Sequence, residues 1–100
     1  MDIQIGEVTH YYTNLGVAVL KLSDEIKLGD TIRILGHTTE FLQRVESLEI
    51  NHHKVHYAAP GEDVALQVWD YVRKGDKVFK VLEEEPTAFN SPESRRMGAP

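Results

Sequence analysis

Residues Lys27–Leu35 read KLGDTIRIL and residues Arg73–Leu82 read RKGDKVFKVL, each a Gly-Asp turn opening an alternating strand. In the first, Ile32 and Ile34 alternate with Thr31 and Arg33, the period of a half-exposed strand, entered through a turn at Leu28, Gly29 and Asp30. A helix begun at Ser23, Asp24 and Glu25 would meet Gly29 within its first positions and β-branched residues immediately after, so it would be interrupted at once. Gly36 and His37 close the strand. The likeness of the two segments is too short for a repeat, but the same turn-then-strand device is used twice.

Working outward, Ile3 to Tyr12 carries Ile3, Ile5 and Val8 with Thr9, Tyr11 and Tyr12, all strand-favouring types. Asn14 and Gly16 bracket Leu15 at a turn, and Val17 to Leu20 form a second, buried strand. From Thr38 to Ile50 two readings compete: Phe41, Val45 and Leu48 fall at helical spacing, whereas Leu48 and Ile50 fall at strand spacing. A long strand with a bulge is favoured, because a bulge resets the parity that changes between Val45 and Leu48. Val55 and Tyr57 make a brief strand, and Pro60-Gly61 suits the centre of a type II turn. Val64, Leu66 and Val68 then alternate with Ala65, Gln67 and Trp69, and a last strand covers Val78 to Val81. About seven short, evenly spaced strands predict an all-β barrel or sandwich, and a barrel also hides its edges.

Composition sets the limits of function. The chain has 100 residues, 41% of them hydrophobic and 27% charged, enough for one core and unlike a disordered chain. Its net charge of −5 disfavours sequence-independent binding along a phosphate backbone. Cysteine is absent, which excludes disulfides, thiolate nucleophiles and cysteine zinc sites. No stretch approaches the roughly 20 apolar residues of a membrane span, and MDIQIGEVTH lacks the pattern of a signal peptide, so a cytoplasmic protein without a membrane role is expected. The folded domain is expected over residues 1–82, with a flexible tail over residues 83–100 that is rich in Glu, Pro and Ser. Removing the tail's four acids and two arginines leaves 12 acids and 9 bases, so the body is itself acidic.

Few residues suggest chemistry. His52, His53 and His56 lie within five positions, but His56 would sit on a strand and the other two in the turn before it, so convergence on one metal ion is not built in. His10 and His37 are isolated, and Ser23, Ser47, Asp24 and Asp30 form no nucleophile motif. The aromatics Tyr11, Tyr12, Phe41, Tyr57, Trp69, Tyr71 and Phe79 divide between core and surface. Adjacent Tyr11 and Tyr12 would point to opposite faces of a strand, and at least one of Tyr11 and Tyr12 and one of Trp69 and Tyr71 is expected to face outward. The densest basic stretch, Arg73, Lys74, Lys77 and Lys80, lies close to Trp69 and Tyr71, the pairing of charge and stacking that single-stranded nucleic acids use. No catalytic residue, cofactor or metal is expected.

The run from Gly6 to Val81 resembles the second domain of translational GTPases such as elongation factor Tu. GEV at Gly6 to Val8, NLGVAVLKL from Asn14 to Leu22, the Gly29-Asp30 turn, the strand ending at SLEI from Ser47 to Ile50, AAPGEDVALQV from Ala58 to Val68 and RKGDKV from Arg73 to Val78 follow its order. The resemblance implies a small closed six- to seven-stranded antiparallel β-barrel with Greek-key features. It further implies a non-catalytic binding module that contacts tRNA, rRNA or other ribosomal components. A GTPase reading fails, because no G-x-x-x-x-G-K-[ST] loop is present. The expected surface is Trp69, Tyr71, Arg73, Lys74, Lys77 and Lys80 on a monomer. The alternative expectation is a protein-interaction adaptor or accessory subunit of an enzyme, with a protein partner.

Overall fold

The computed structural model describes residues 1–82; the predicted tail from Glu83 lies outside the described residues. Ten strands follow in order: β1 (Asp2–Tyr12), β2 (Val17–Leu22), β3 (Ile26–Lys27), β4 (Thr31–Leu35), β5 (Glu40–Arg44), β6 (Glu49–Ile50), β7 (His53–Lys54), β8 (Tyr57–Ala58), β9 (Asp63–Gln67) and β10 (Lys77–Val81). Among the described residues no helix is long and apolar enough to cross a membrane.

β1 is the spine. It pairs antiparallel with β10 on one side and β2 on the other, and its register shifts once between Gln4 and Gly6 and again between Val8 and His10. These two irregularities bend the strand, which increases its twist. Gly6 sits at the first: a Cβ there would lie 2.8 Å from the Lys21 carbonyl oxygen, so only glycine allows β1 and β2 to approach this closely. The inward parity of each strand supplies the core, with Ile5, Val8, Leu20, Ile32, Ile34, Val64, Leu66 and Val78 all buried.

Three four-residue turns share one construction. In Lys27–Asp30, Ala59–Glu62 and Arg73–Asp76 the last residue donates its N–H to the first residue's carbonyl, at 3.2, 3.2 and 3.0 Å. The third residue is a glycine at φ +91°, +92° and +96°, the left-handed position of a type II turn. The acid then returns a hydrogen bond: Asp30 Oδ2 accepts from Lys27 N at 2.9 Å, Glu62 Oε1 from Ala59 N at 2.7 Å, and Asp76 Oδ2 from Arg73 N at 2.9 Å. Each turn feeds a strand, β4, β9 or β10.

The expectation of a closed barrel is corrected. The main sheet runs β5-β4-β10-β1-β2-β9-β6-β7, with β3 and β8 as a separate pair, so its ladder ends at β5 and β7 and no closed barrel is formed. The reason lies between Val45 and Leu48, where the chain leaves strand geometry while burying both apolar side chains. The predicted long bulged strand from Thr38 to Ile50 is therefore two strands, β5 and β6, and the competing helix does not form; the bulges are in β1. The β6–β7 hairpin turns through Asn51 and His52 at φ 51° and 65°, the left-handed pair of a type I′ turn.

A side chain spans the opening. Gln43, 2% exposed, donates from Nε2 to the Gln67 carbonyl at 3.0 Å and to the Arg44 carbonyl at 3.2 Å, while its Oε1 accepts from Trp69 N at 2.8 Å. Ser47 Oγ accepts from Gln67 N at 3.0 Å beside it. Side-chain groups thus do across the β5–β9 seam what main-chain ladders do elsewhere.

Candidate functional site

On the Glu40 side of Gln43 the walls of the seam separate. Thr39, Glu40 and Phe41 line one side of a cleft of about 690 Å³, and Asp70, Tyr71 and Arg73 line the other, with Tyr11 and Thr13 at the end of β1. Phe41 and Tyr11 pack against the core, so the floor is anchored. Tyr71 meets Tyr11 edge to face, ring centroids 5.6 Å apart at 67°, and is 70% exposed.

The Trp69–Arg73 wall is held by its own main chain. Trp69 N donates to Gln43, Tyr71 N to Asp70 Oδ1 at 2.7 Å and Arg73 N to the largely buried Asp76 carboxylate. Gly36 lies directly against Asp76, leaving no room for a Cβ. Trp69 is 56% exposed, with Nε1 donating to Glu46 Oε1 at 3.2 Å. Tyr12, Leu15 and Leu42 are also exposed, and the Tyr12 ring lies against His10, centroids 4.2 Å apart and tilted by 57°. Aromatic faces beside carboxylates and one guanidinium suit a ligand carrying both apolar side chains and amide groups.

The sequence-predicted surface is only partly brought together. Trp69 and Tyr71 are both exposed, on a segment without strand geometry. Arg73 lines the cleft and Lys74 is exposed beside it. Lys77 Nζ is drawn 2.9 Å from Glu7 Oε1, and Lys80 Nζ lies 3.6 Å from Asp30 Oδ2 with its side chain mostly covered. Three positions apart on one strand, Lys77 and Lys80 project from opposite faces, so the four bases do not form one continuous patch. His52 lies in the β6–β7 turn, His53 on β7 with Nδ1 2.8 Å from the Asn51 carbonyl, and His56 beyond it, all three exposed. Among the described residues no cluster of His, Asp or Glu is placed to hold a metal ion.

Sequence reasoning missed Gln43 and Glu40. The available signal was parity with Phe41 and Val45, two residues to either side of Gln43, which the exposed apolar Leu42 masks.

No family model matches the chain. Over 82 residues it is 40% identical to an uncharacterized protease of Methanocaldococcus jannaschii, an alignment covering 81% of this chain and 20% of that protein. Over 85 residues it is 33% identical to a collagenase of Porphyromonas gingivalis strain W83, covering 83% of this chain and 20% of the collagenase. The chain thus spans about a fifth of the length of the curated relatives it matches. Among solved structures it resembles the C-terminal domain of a protein assigned as a U32 peptidase in Geobacillus thermoleovorans. The TM-score is 0.74 at 20% identity, over 78% of this chain and 91% of that one.

These findings overturn the resemblance to translational GTPases and with it the translation-associated role. That resemblance rested on Gly-acid turns feeding alternating strands, a local device that any antiparallel sheet can use and that this chain uses three times. By sequence the chain is similar to one segment of larger protease-type proteins, and its fold is that of a U32 peptidase C-terminal domain.

Proposed function

We propose that this chain is a non-catalytic accessory module of U32-type peptidases, and that it holds a polypeptide chain in the cleft between Glu40 and Tyr71. The observation that carries this reading is the proportion of the match: a stretch shared with proteases that occupies only 20% of each leaves the larger part to house peptidase chemistry. The cleft supports it, since exposed Tyr71 and Trp69 stand on a wall fixed by Gln43, Asp70 and Asp76. This is the adaptor or accessory-subunit expectation rather than the translational one. The cysteine-free composition favours the cytoplasm as its compartment.

The test uses β-casein as an unfolded polypeptide. Added to the 15N-labelled chain, it should shift the Tyr71 amide and Trp69 indole resonances without being cleaved. Tyr71→Ala should weaken that binding about tenfold, the loss of one well-placed aromatic contact. Hydrolysis of casein by the chain, or no interaction at all, contradicts the proposal.

A further inference from the structure

The free edge of β5 forms one wall of the cleft, and its hydrogen-bonding register is fixed by its partner. β4 and β5 pair Ile34 with Phe41 and Ile32 with Gln43, and Leu35 with Glu40 and Arg33 with Leu42. The bonds Gly36 N to Thr39 O at 2.7 Å and Val45 N to Asp30 O at 2.8 Å show which of these exchange main-chain bonds. In an antiparallel ladder the bonded pairs alternate with non-bonded ones. Phe41 and Gln43 therefore bond to β4, while Glu40 and Leu42 turn their N–H and C=O groups away from it. Among the described residues β5 pairs with β4 alone, so no strand lies beside those groups. Two residues further, the outward Arg44 carbonyl is already taken by Gln43 Nε2 at 3.2 Å.

Glu40 and Leu42 thus present four main-chain groups at an unblocked edge, next to the cleft. Edges of this kind are normally blunted by charged side chains, proline or a covering loop. β5 reads EFLQR, with its charges at the two ends, no proline or lysine between them, and Leu42 48% exposed. Side-chain clamping by Gln43 closes the seam only beyond this point. Opposite stands the Asp70–Arg73 wall, and Tyr71 offers an aromatic surface to a side chain projecting from a strand laid in the gap.

We infer that the cleft takes its polypeptide as an added β-strand: an extended segment of a partner pairs with Glu40–Leu42, its main chain supplying affinity. Strand addition reads backbone before side chains, which fits recognition of unfolded or extended polypeptide with little sequence preference. This inference rests on the accessory reading above and specifies how the same cleft is used.

The probe is a nine-residue peptide of alternating Thr and Val flanked by Lys, added to the 15N-labelled chain. At saturation, hydrogen exchange at the Glu40 and Leu42 amides should slow about tenfold, while that at Phe41 and Gln43, already bonded to β4, should not change. Leu42→Pro deletes only an outward N–H from an edge strand, which folded sheets tolerate, so the melting temperature should hold while peptide affinity falls about tenfold. Casein or peptide binding with no alternation at Glu40 and Leu42, or undiminished in Leu42→Pro, overturns strand addition and leaves the accessory reading standing. Protection of Glu40 and Leu42 that rises with protein concentration alone assigns the edge to a second copy and overturns it equally. Failure of both casein and peptide to bind removes the accessory reading, and this inference with it.

Discussion

The Gln43 carboxamide accepts a hydrogen bond from the Trp69 main-chain N–H at 2.8 Å, across a seam where no backbone ladder joins β5 to β9. The same side chain donates to the Gln67 carbonyl, so one buried amide satisfies a donor and an acceptor on the facing segment and sets where the sheet stops being held together and the cleft begins.

Gln43→Ala should be among the most damaging single substitutions in the domain. It leaves the Trp69 N–H and Gln67 carbonyl without partners and opens a gap in a site that is 2% exposed. The expected cost is roughly 2–4 kcal/mol, which lowers Tm by about 10–20 °C in a domain of this size. Thermal melts of the two proteins check this; a change below about 0.5 kcal/mol, the size of an ordinary surface substitution, would show that the seam is held by something else.

The three Gly-acid turns predict a ranking. Asp76 is 5% exposed, Asp30 is half-buried with Lys80 beside it, and Glu62 is exposed. Replacing each by Ala removes the same hydrogen bond, but only the Arg73–Asp76 bond is partly buried, and Asp30 also loses its ion pair with Lys80. Urea unfolding should order the losses as Asp76, then Asp30, then Glu62, from about 2–3 kcal/mol down to roughly 0.5 kcal/mol.

Gly36 is needed for space rather than for backbone freedom, since its Cβ would collide with the Asp76 carboxylate. Gly36→Ala should destabilise by about 1–3 kcal/mol through overpacking. Gly36→Ala combined with Asp76→Ala should cost less than the two losses added together, because each relieves part of the other; the double-mutant cycle measures this.

His52 is held at φ 65° in a type I′ turn that favours glycine at this place. His52→Gly should stabilise the β6–β7 hairpin by roughly 0.5–1 kcal/mol, visible as a higher urea midpoint, because the left-handed strain of an L side chain is relieved. A loss of stability would mean that the imidazole makes a contact worth more than the strain.

Much of the sheet was legible in the sequence because its signals are local. Ile32 and Ile34 in β4, Val64 and Leu66 in β9, and the Gly-acid turns before them carry their period and turn chemistry within a few residues. The seam was not legible, because it depends on what Val45 and Leu48 do to the chain path and on Gln43 meeting a segment 24 residues away. Leu42 obscured it further: an apolar side chain at an outward position breaks the alternation that would mark Gln43 as buried. The cleft followed the same fate, since Tyr71 and Asp70 reach Glu40 only through that seam. Of the predicted surface, Tyr71 and Arg73 line the cleft and Trp69 is exposed just before it in the chain, whereas Lys77 and Lys80 are separated by the two-residue period of β10.

The central claim is that the Glu40–Tyr71 cleft holds polypeptide, and amide NMR titration of the 15N-labelled chain with β-casein tests it most directly. The account predicts that the resonances which move cluster at Tyr11, Glu40, Phe41, Leu42, Tyr71 and the Trp69 indole. Shifts confined to the β6–β7 hairpin, or none at saturating casein, would contradict it.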